Sequence, residues 1–198
     1  MTGDTMIEAV AINLGDPGME KYRRALILSR INTAMIKIVR ELRPKALYYV
    51  VSVNWTAETK ELTFATMGCE DILKVINITW NGYKMDEGTH EDFDEYNTTS
   101  YSDPVGYYLR ASSIGLFPNA PGTTKTLGLN YLRKPTILTG VVDEVIDLPE
   151  EYHRAVELEA TSMLSPDIKW RKLLELELNE LRFYTYSTMD SITIIPPQ

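Results

Sequence analysis

The hydrophobic repeat changes twice along this chain, and those changes limit the fold more than any motif does. Over residues 19–43, Ile27, Leu28, Ile31, Met35, Ile38 and Leu42 recur at three- and four-residue steps, the stripe of a helix with one face inward. From residue 46 the repeat shortens to two: Tyr49, Val51, Val53 and Trp55 alternate with Tyr48, Val50, Ser52 and Asn54. From residue 149 it lengthens again. A segment cannot satisfy both periods, so the order is helices, strands, helices.

The helical boundaries follow from local chemistry. Thr5 and Glu8 stand at capping-box spacing ahead of Met6, Ile7, Val10 and Leu14, which predicts a helix over 5–14. Gly15-Asp16-Pro17-Gly18 stops it, and Pro44 stops the long helix over 19–43. In Asp147-Leu148-Pro149-Glu150-Glu151-Tyr152-His153, Pro149 suits a first helical turn and the acids suit the positive end of the helix dipole. A helix over 149–164 with Tyr152, Val156, Ala160 and Met163 inward follows. Ser165-Pro166-Asp167 then opens another over 167–186, with Trp170, Leu173, Leu174, Leu178 and Leu181 inward.

Between them, residues 46–140 predict strands. Leu62 and Phe64 form part of a second, with Ala57-Glu58-Thr59-Lys60 as the turn before it. Ile76, Ile78 and Trp80 lie on one face of a third. Asn81-Gly82, followed by Tyr83-Lys84-Met85, is the strongest hairpin signal, because both turn residues must take φ > 0. Residues 105–117 and 124–134 read as two further strands joined by Pro118-Asn119-Ala120-Pro121-Gly122. Residues 86–103 hold seven acids and no Lys or Arg, a solvated break without the spacing of a calcium loop.

Composition excludes more than it selects. Twenty Lys and Arg against 28 Asp and Glu give a net charge of -8, unsuited to general nucleic-acid affinity. The single Cys69 rules out an internal disulfide, fits a reducing compartment, and reads as a small buried or turn residue. With His90 and His153 as the only histidines, a zinc site of the usual kind is not expected, nor any cofactor. No stretch reaches the ~18 apolar residues of a membrane span, and Met1 to Asp4 lacks a signal-peptide pattern. Gly-rich phosphate loops and nucleophile elbows are missing, and His153 reads as a surface or interface residue, so an enzyme is not expected.

Charge is unevenly placed. Eight basic residues lie between Glu20 and Lys45, opposed only by Glu20 and Glu41. Arg23, Arg30 and Lys37, spaced by sevens, share one side of the helix: a solvated face, or an electrostatic seam against an acidic neighbour. The tail Ile192-Thr193-Ile194-Ile195-Pro196-Pro197 is extended and apolar. It is either a last strand of the same domain or a strand offered to another subunit. The residues alone thus predict an α+β fold: a helical-bundle core, helices near 5–14, 19–43, 149–164 and 167–186, with a β-rich antiparallel insertion near 46–134.

One family fits this order. Ile76-x-Ile78-x-x-Asn81-Gly82 precedes the acidic break and Pro104-Val105-Gly106-Tyr107-Tyr108. Ile114-Gly115-Leu116-Phe117-Pro118 then leads to Leu127-Gly128-Leu129-Asn130-Tyr131-Leu132-Arg133-Lys134-Pro135. With Asp147 to Val156 following, the chain resembles the head-to-tail adaptor (connector) proteins of tailed bacteriophages over about residues 5–185. The resemblance implies a single adaptor domain, 1–198, and a structural virion protein, assembled in the host cytoplasm, at the capsid vertex or neck. It further implies a ring, typically twelve-fold, beneath the portal protein, linking capsid to tail and extending the DNA channel. Its partners would be portal, neighbouring copies, the next neck or tail protein, and DNA passing without sequence-specific binding. It assigns the tail, with Ile192, Ile194, Ile195, Pro196 and Pro197, to portal docking, and makes Arg23, Arg30 and Lys37 a seam between subunits. The alternatives are a tail-terminator or baseplate component, or a small-molecule or glycan-binding module using the β-region, with Trp55 and Trp80 as platform.

Overall fold

The structure, a computed structural model, describes residues 1–55, 61–89, 103–117 and 125–189, without the side chains of 184–189. Among these residues the chain forms four α-helices: α1 (Gly3–Asn13), α2 (Arg24–Leu42), α3 (His153–Leu164) and α4 (Ile168–Met189). The strands are β1 (Tyr48–Trp55), β2 (Glu61–Thr63), β3 (Ile72–Trp80), β4 (Tyr83–Lys84), β5 (Asp86–Glu87), β6 (Gly106–Leu109), β7 (Ser113–Phe117) and β8 (Lys125–Arg133). Two compact units result, one of residues 1–47 and 134–198, the other of 48–133.

In the helical unit, Ile27, Ile31, Met35, Ile38 and Leu42 of the expected α2 stripe are buried, whereas Leu28 is only half-buried. The helix begins later than the expected residue 19, at Arg24. The Asp16 carboxylate accepts N–H bonds from Glu20 at 3.0 Å, Lys21 at 2.9 Å and Tyr22 at 2.7 Å. Those three amides are bound to a side chain, and the segment before Arg23 stays a loop. α1 likewise starts earlier than expected: the capping pair is Thr2 and Thr5, not Thr5 and Glu8, with Thr2 N–H donating to Thr5 Oγ1 at 3.0 Å. Pro149 precedes a 3₁₀ turn, Glu150–Tyr152, that leads into α3. On α4, Trp170, Leu174, Leu178 and Leu181 are buried, whereas Leu173 faces out.

Sheet one has the order β1-β8-β3-β4 and sheet two β2-β7-β6-β5. Asn81 and Gly82 turn β3 into β4 with φ of 48° and 85°, as their sequence signal predicts. β3 does not keep the expected face. A register shift between Val75 and Asn77 inserts an extra residue, so Ile78 and Trp80 are buried while Ile76 is exposed. Residues 105–117 are not one strand but a hairpin, β6 and β7, in which Arg110 N–H bonds back to the Ser113 carbonyl at 2.9 Å. Asp86 and Glu87, expected in a loop, pair with Gly106 and Tyr107 in parallel, so the β region is not wholly antiparallel.

The expectation of a helical-bundle core carrying a β insertion is overturned. The chain is an α+β fold in which the β region, itself foreseen, closes its own core. Trp55, Ile78, Trp80, Leu127 and Leu129 from sheet one meet Tyr107, Ile114 and Leu116 from sheet two in one cluster, joined by Met67, Cys69 and Met85. Nor does α3 carry the single stripe of a bundle helix: Ala155 to Thr161 are buried without a break. It packs against α1, α2 and α4 together.

Candidate functional site

The surfaces that can receive a partner are best built from α2 outward. Arg23 sits at its N-terminal boundary, in extended backbone with no side-chain cap. Arg30, two turns further along the helix, is exposed. Neither forms an ion pair among the described residues. Lys37 differs. Its Nζ donates to Glu159 Oε1 of α3 at 2.6 Å, and Glu159 is only 3% exposed. The three residues spaced by sevens thus fall into two kinds, two open cations and one counter-ion to a buried carboxylate. No local signal could have named Glu159, which lies 122 residues away.

On the solvent side of α2 lies a groove of about 680 Å³, lined by Leu28, Asn32, Ile36 and Arg40 among others, and by Ile137. Ile137 belongs to the strap of residues 134–149, which has little regular structure and is held by side chains. Asn32 bonds twice to the backbone of Leu138. Asp147 accepts from the Thr136 N–H at 3.1 Å and its hydroxyl at 2.8 Å. Glu144 accepts from the N–H groups of Thr139 at 2.7 Å and Gly140 at 3.1 Å. The Glu144 carbonyl takes the Gly3 N–H at 2.7 Å, which ties the strap to the start of α1. Sequence reading missed this groove, because the strap has no periodicity. The double amide at Asn32 and the acids at 144 and 147 were its only traces.

Two chemical candidates resolve into structure. His153 is not a surface residue: it is buried, and its Nε2 donates to the Leu148 carbonyl at 2.9 Å. Burial holds its pKa below the usual imidazole value, against the pull of that bond and of Glu150 and Glu151. Cys69 is buried, as its sequence reading holds, and burial with the Asp71 charge pushes its thiol up to about 11. Trp55 and Trp80 face each other edge-on in the core with ring centroids 6.4 Å apart, and so form no open platform. Among the described residues, no group of three or more His, Cys, Asp or Glu could hold a metal ion, and no helix is long and apolar enough to cross a membrane. Ile192, Ile194, Ile195, Pro196 and Pro197 lie outside the described residues.

Open cations and a groove make this an α+β protein with surfaces suited to docking. A family model described as SU10 adaptor protein matches residues 1–191, and the chain belongs to that family. The resemblance to phage head-to-tail adaptors carried by the sequence is therefore sound: this is a phage adaptor protein, a class that meets other head or tail proteins. A search of curated proteins found no match.

Proposed function

We propose that the protein is a structural component of the virion that forms a ring beneath the portal, links capsid to tail and extends the DNA channel. The observation that carries this reading is the family match across residues 1–191. The ring, typically twelve-fold in the adaptors it resembles, contacts portal on one side and the next neck or tail protein on the other. The whole chain acts as one adaptor domain, and its role is scaffolding rather than catalysis. Two physical features support it. A closed ring of like subunits needs two different, complementary side surfaces, and this chain separates basic α2 from acidic stretches near 86–103 and 143–159. A net charge of -8 suits a wall along which DNA slides without being gripped.

Within this proposal, Ile192, Ile194, Ile195, Pro196 and Pro197 dock on portal, while Arg23, Arg30 and Lys37 face the neighbouring subunit. The test is reconstitution on purified portal with a chain ending at residue 186. Loss of stable portal complexes with an unchanged melting temperature is the expected result. Full rings on portal without residues 187–198 would sink the assignment of the tail.

A further inference from the structure

The outward face of α4 carries large apolar side chains among its charged ones. Leu176 and Phe183 are 61% and 78% exposed, and Leu173 joins them. Steps of three and seven residues put the three on one side of the helix, opposite the buried Trp170, Leu174, Leu178 and Leu181. Such a face, repeated over three turns, marks an interaction site rather than scattered surface residues. Across Ile168 to Phe183 four basic residues outnumber three Glu, but Glu180 stands one turn from both Leu176 and Phe183 and forms no ion pair among the described residues.

The groove on α2 is its complement. Leu28, Ile36 and Ile137 supply an apolar floor, and Arg40, which has no ion pair among the described residues, stands on its rim. The lining runs from Ala25 to Arg40, about 22 Å of helix, and the α4 stripe from Leu173 to Phe183 is about 15 Å long. The shorter stripe fits within the groove, and Glu180 supplies the charge opposite to Arg40.

We propose that the α4 stripe of one copy seats in the α2 groove of the next, with Glu180 facing Arg40, and that this is the contact repeated around the ring. It rests on the ring reading given above. Because stripe and groove are different surfaces of the same chain, the contact is heterologous: each copy uses its stripe on one side and its groove on the other, as closure requires.

The test uses two full-length variants, Ile137→Cys and Leu176→Cys, and a short bismaleimide. The native Cys69 is buried and does not react. The variants are cross-linked separately and mixed, once with portal and once as free chain at about 100 μM, above the micromolar Kd of a weak specific interface. The expected result is a cross-linked dimer in the mixture, at least about 10-fold more than in either variant alone. Adding Phe183→Glu to the Leu176→Cys chain should abolish it, with the melting temperature unchanged. No dimer in either arm overturns the proposal. Equal dimer from a single variant overturns it too, since that means a self-complementary contact. Retention of the cross-link with Phe183→Glu has the same force. If removal of residues 190–198 abolishes cross-linking of the free chain while stripe and groove are intact, the occupant is the tail, and the proposal fails. Failure to bind portal, with the free-chain cross-link present, would instead count against the ring-on-portal reading and leave this contact standing.

Discussion

Asn32 carries both ends of its amide to one backbone unit: Nδ2 donates to the Leu138 carbonyl, and Oδ1 accepts from the Leu138 N–H, each at 2.9 Å. A helix side chain here does the work of a neighbouring strand. The strap that contributes Ile137 to the α2 groove has few backbone partners of its own, and its buried Leu138 depends on this clamp.

Asn32→Ala removes donor and acceptor together and leaves two backbone groups without partners. A loss of about 2 kcal/mol in urea unfolding is expected, with helix content preserved. Asn32→Asp keeps the acceptor, loses the donor to the carbonyl, and should fall between Ala and wild type. A change below about 0.5 kcal/mol for Asn32→Ala would mean that the strap holds without the clamp.

Lys37 and Arg30 should part company on substitution. Lys37→Ala strands the buried Glu159 carboxylate, which is costly, although more than half of the lysine side chain lies in water and screening trims the loss. About 1–2 kcal/mol is expected for Lys37→Ala, and less than about 0.5 kcal/mol for Arg30→Ala or Arg23→Ala. The double variant Lys37→Ala with Glu159→Gln should recover part of the loss. The consequence for the seam is practical. Charge reversal at Arg23 and Arg30 tests assembly alone, whereas reversal at Lys37 confounds assembly with folding. Impaired ring formation by Arg23→Glu with Arg30→Glu, at an unchanged melting temperature, would support the seam.

These comparisons show where sequence reading reaches. The α2 stripe, the Asn81-Gly82 hairpin and the Pro44 stop are legible because each is set by residues within a few positions of one another. The Val75–Asn77 bulge, the hairpin hidden in residues 105–117 and the start of α2 are not. Each depends on a partner that periodicity cannot name: β8 for the bulge, the Arg110–Ser113 bond for the turn, and three amides on one Asp16 carboxylate for the helix start. The bundle expectation failed for the same reason. Counting apolar residues in the β region shows strands, but not that two sheets of them close a core together. Of the candidate surfaces, the cations on α2 were legible as charge. The groove was not, since the strap across from α2 has no repeat.

Gly115 and Gly128 both lie in strands, yet they should respond differently to alanine. A Cβ at Gly115 would overlap the Tyr108 ring, and that ring is fixed by its hydroxyl donating to Glu61 Oε1 at 2.8 Å. A Cβ at Gly128 meets chiefly the Thr79 hydroxyl, which can rotate away. Gly115→Ala should cost about 2–3 kcal/mol and Gly128→Ala about 1 kcal/mol. Adding Tyr108→Phe should ease the Gly115 variant by freeing the ring to tilt. Equal losses at both sites would show that sheet two yields more readily than its close contacts imply.

The deepest titration expected near neutral pH is that of His153. Burial lowers its pKa below the ordinary 6.5, the N-terminal ammonium adds to the shift, and the Leu148 carbonyl, Glu150 and Glu151 oppose it. The unfolded chain therefore binds the proton more readily than the folded one. Stability from this group is complete above about pH 6.5 and is lost as pH falls below it, with a slope of at most about 1.4 kcal/mol per pH unit for one proton. Asp4 and Asp16, held below 3.8 by Arg24 and by backbone N–H groups respectively, titrate lower, and Glu177, pushed up by burial, changes stability with pH in the opposite sense. Urea midpoints should drop between about pH 7 and 5.5 for the native chain, and the drop should flatten in His153→Gln, whose amide can still donate to Leu148. Since His153 opens α3 directly after the Pro149 turn, the acid-induced loss should begin there. Hydrogen exchange at pH 5.5 should show α3 amides near His153 opening before those at the centre of α2, and the reverse order would place the sensitive group elsewhere.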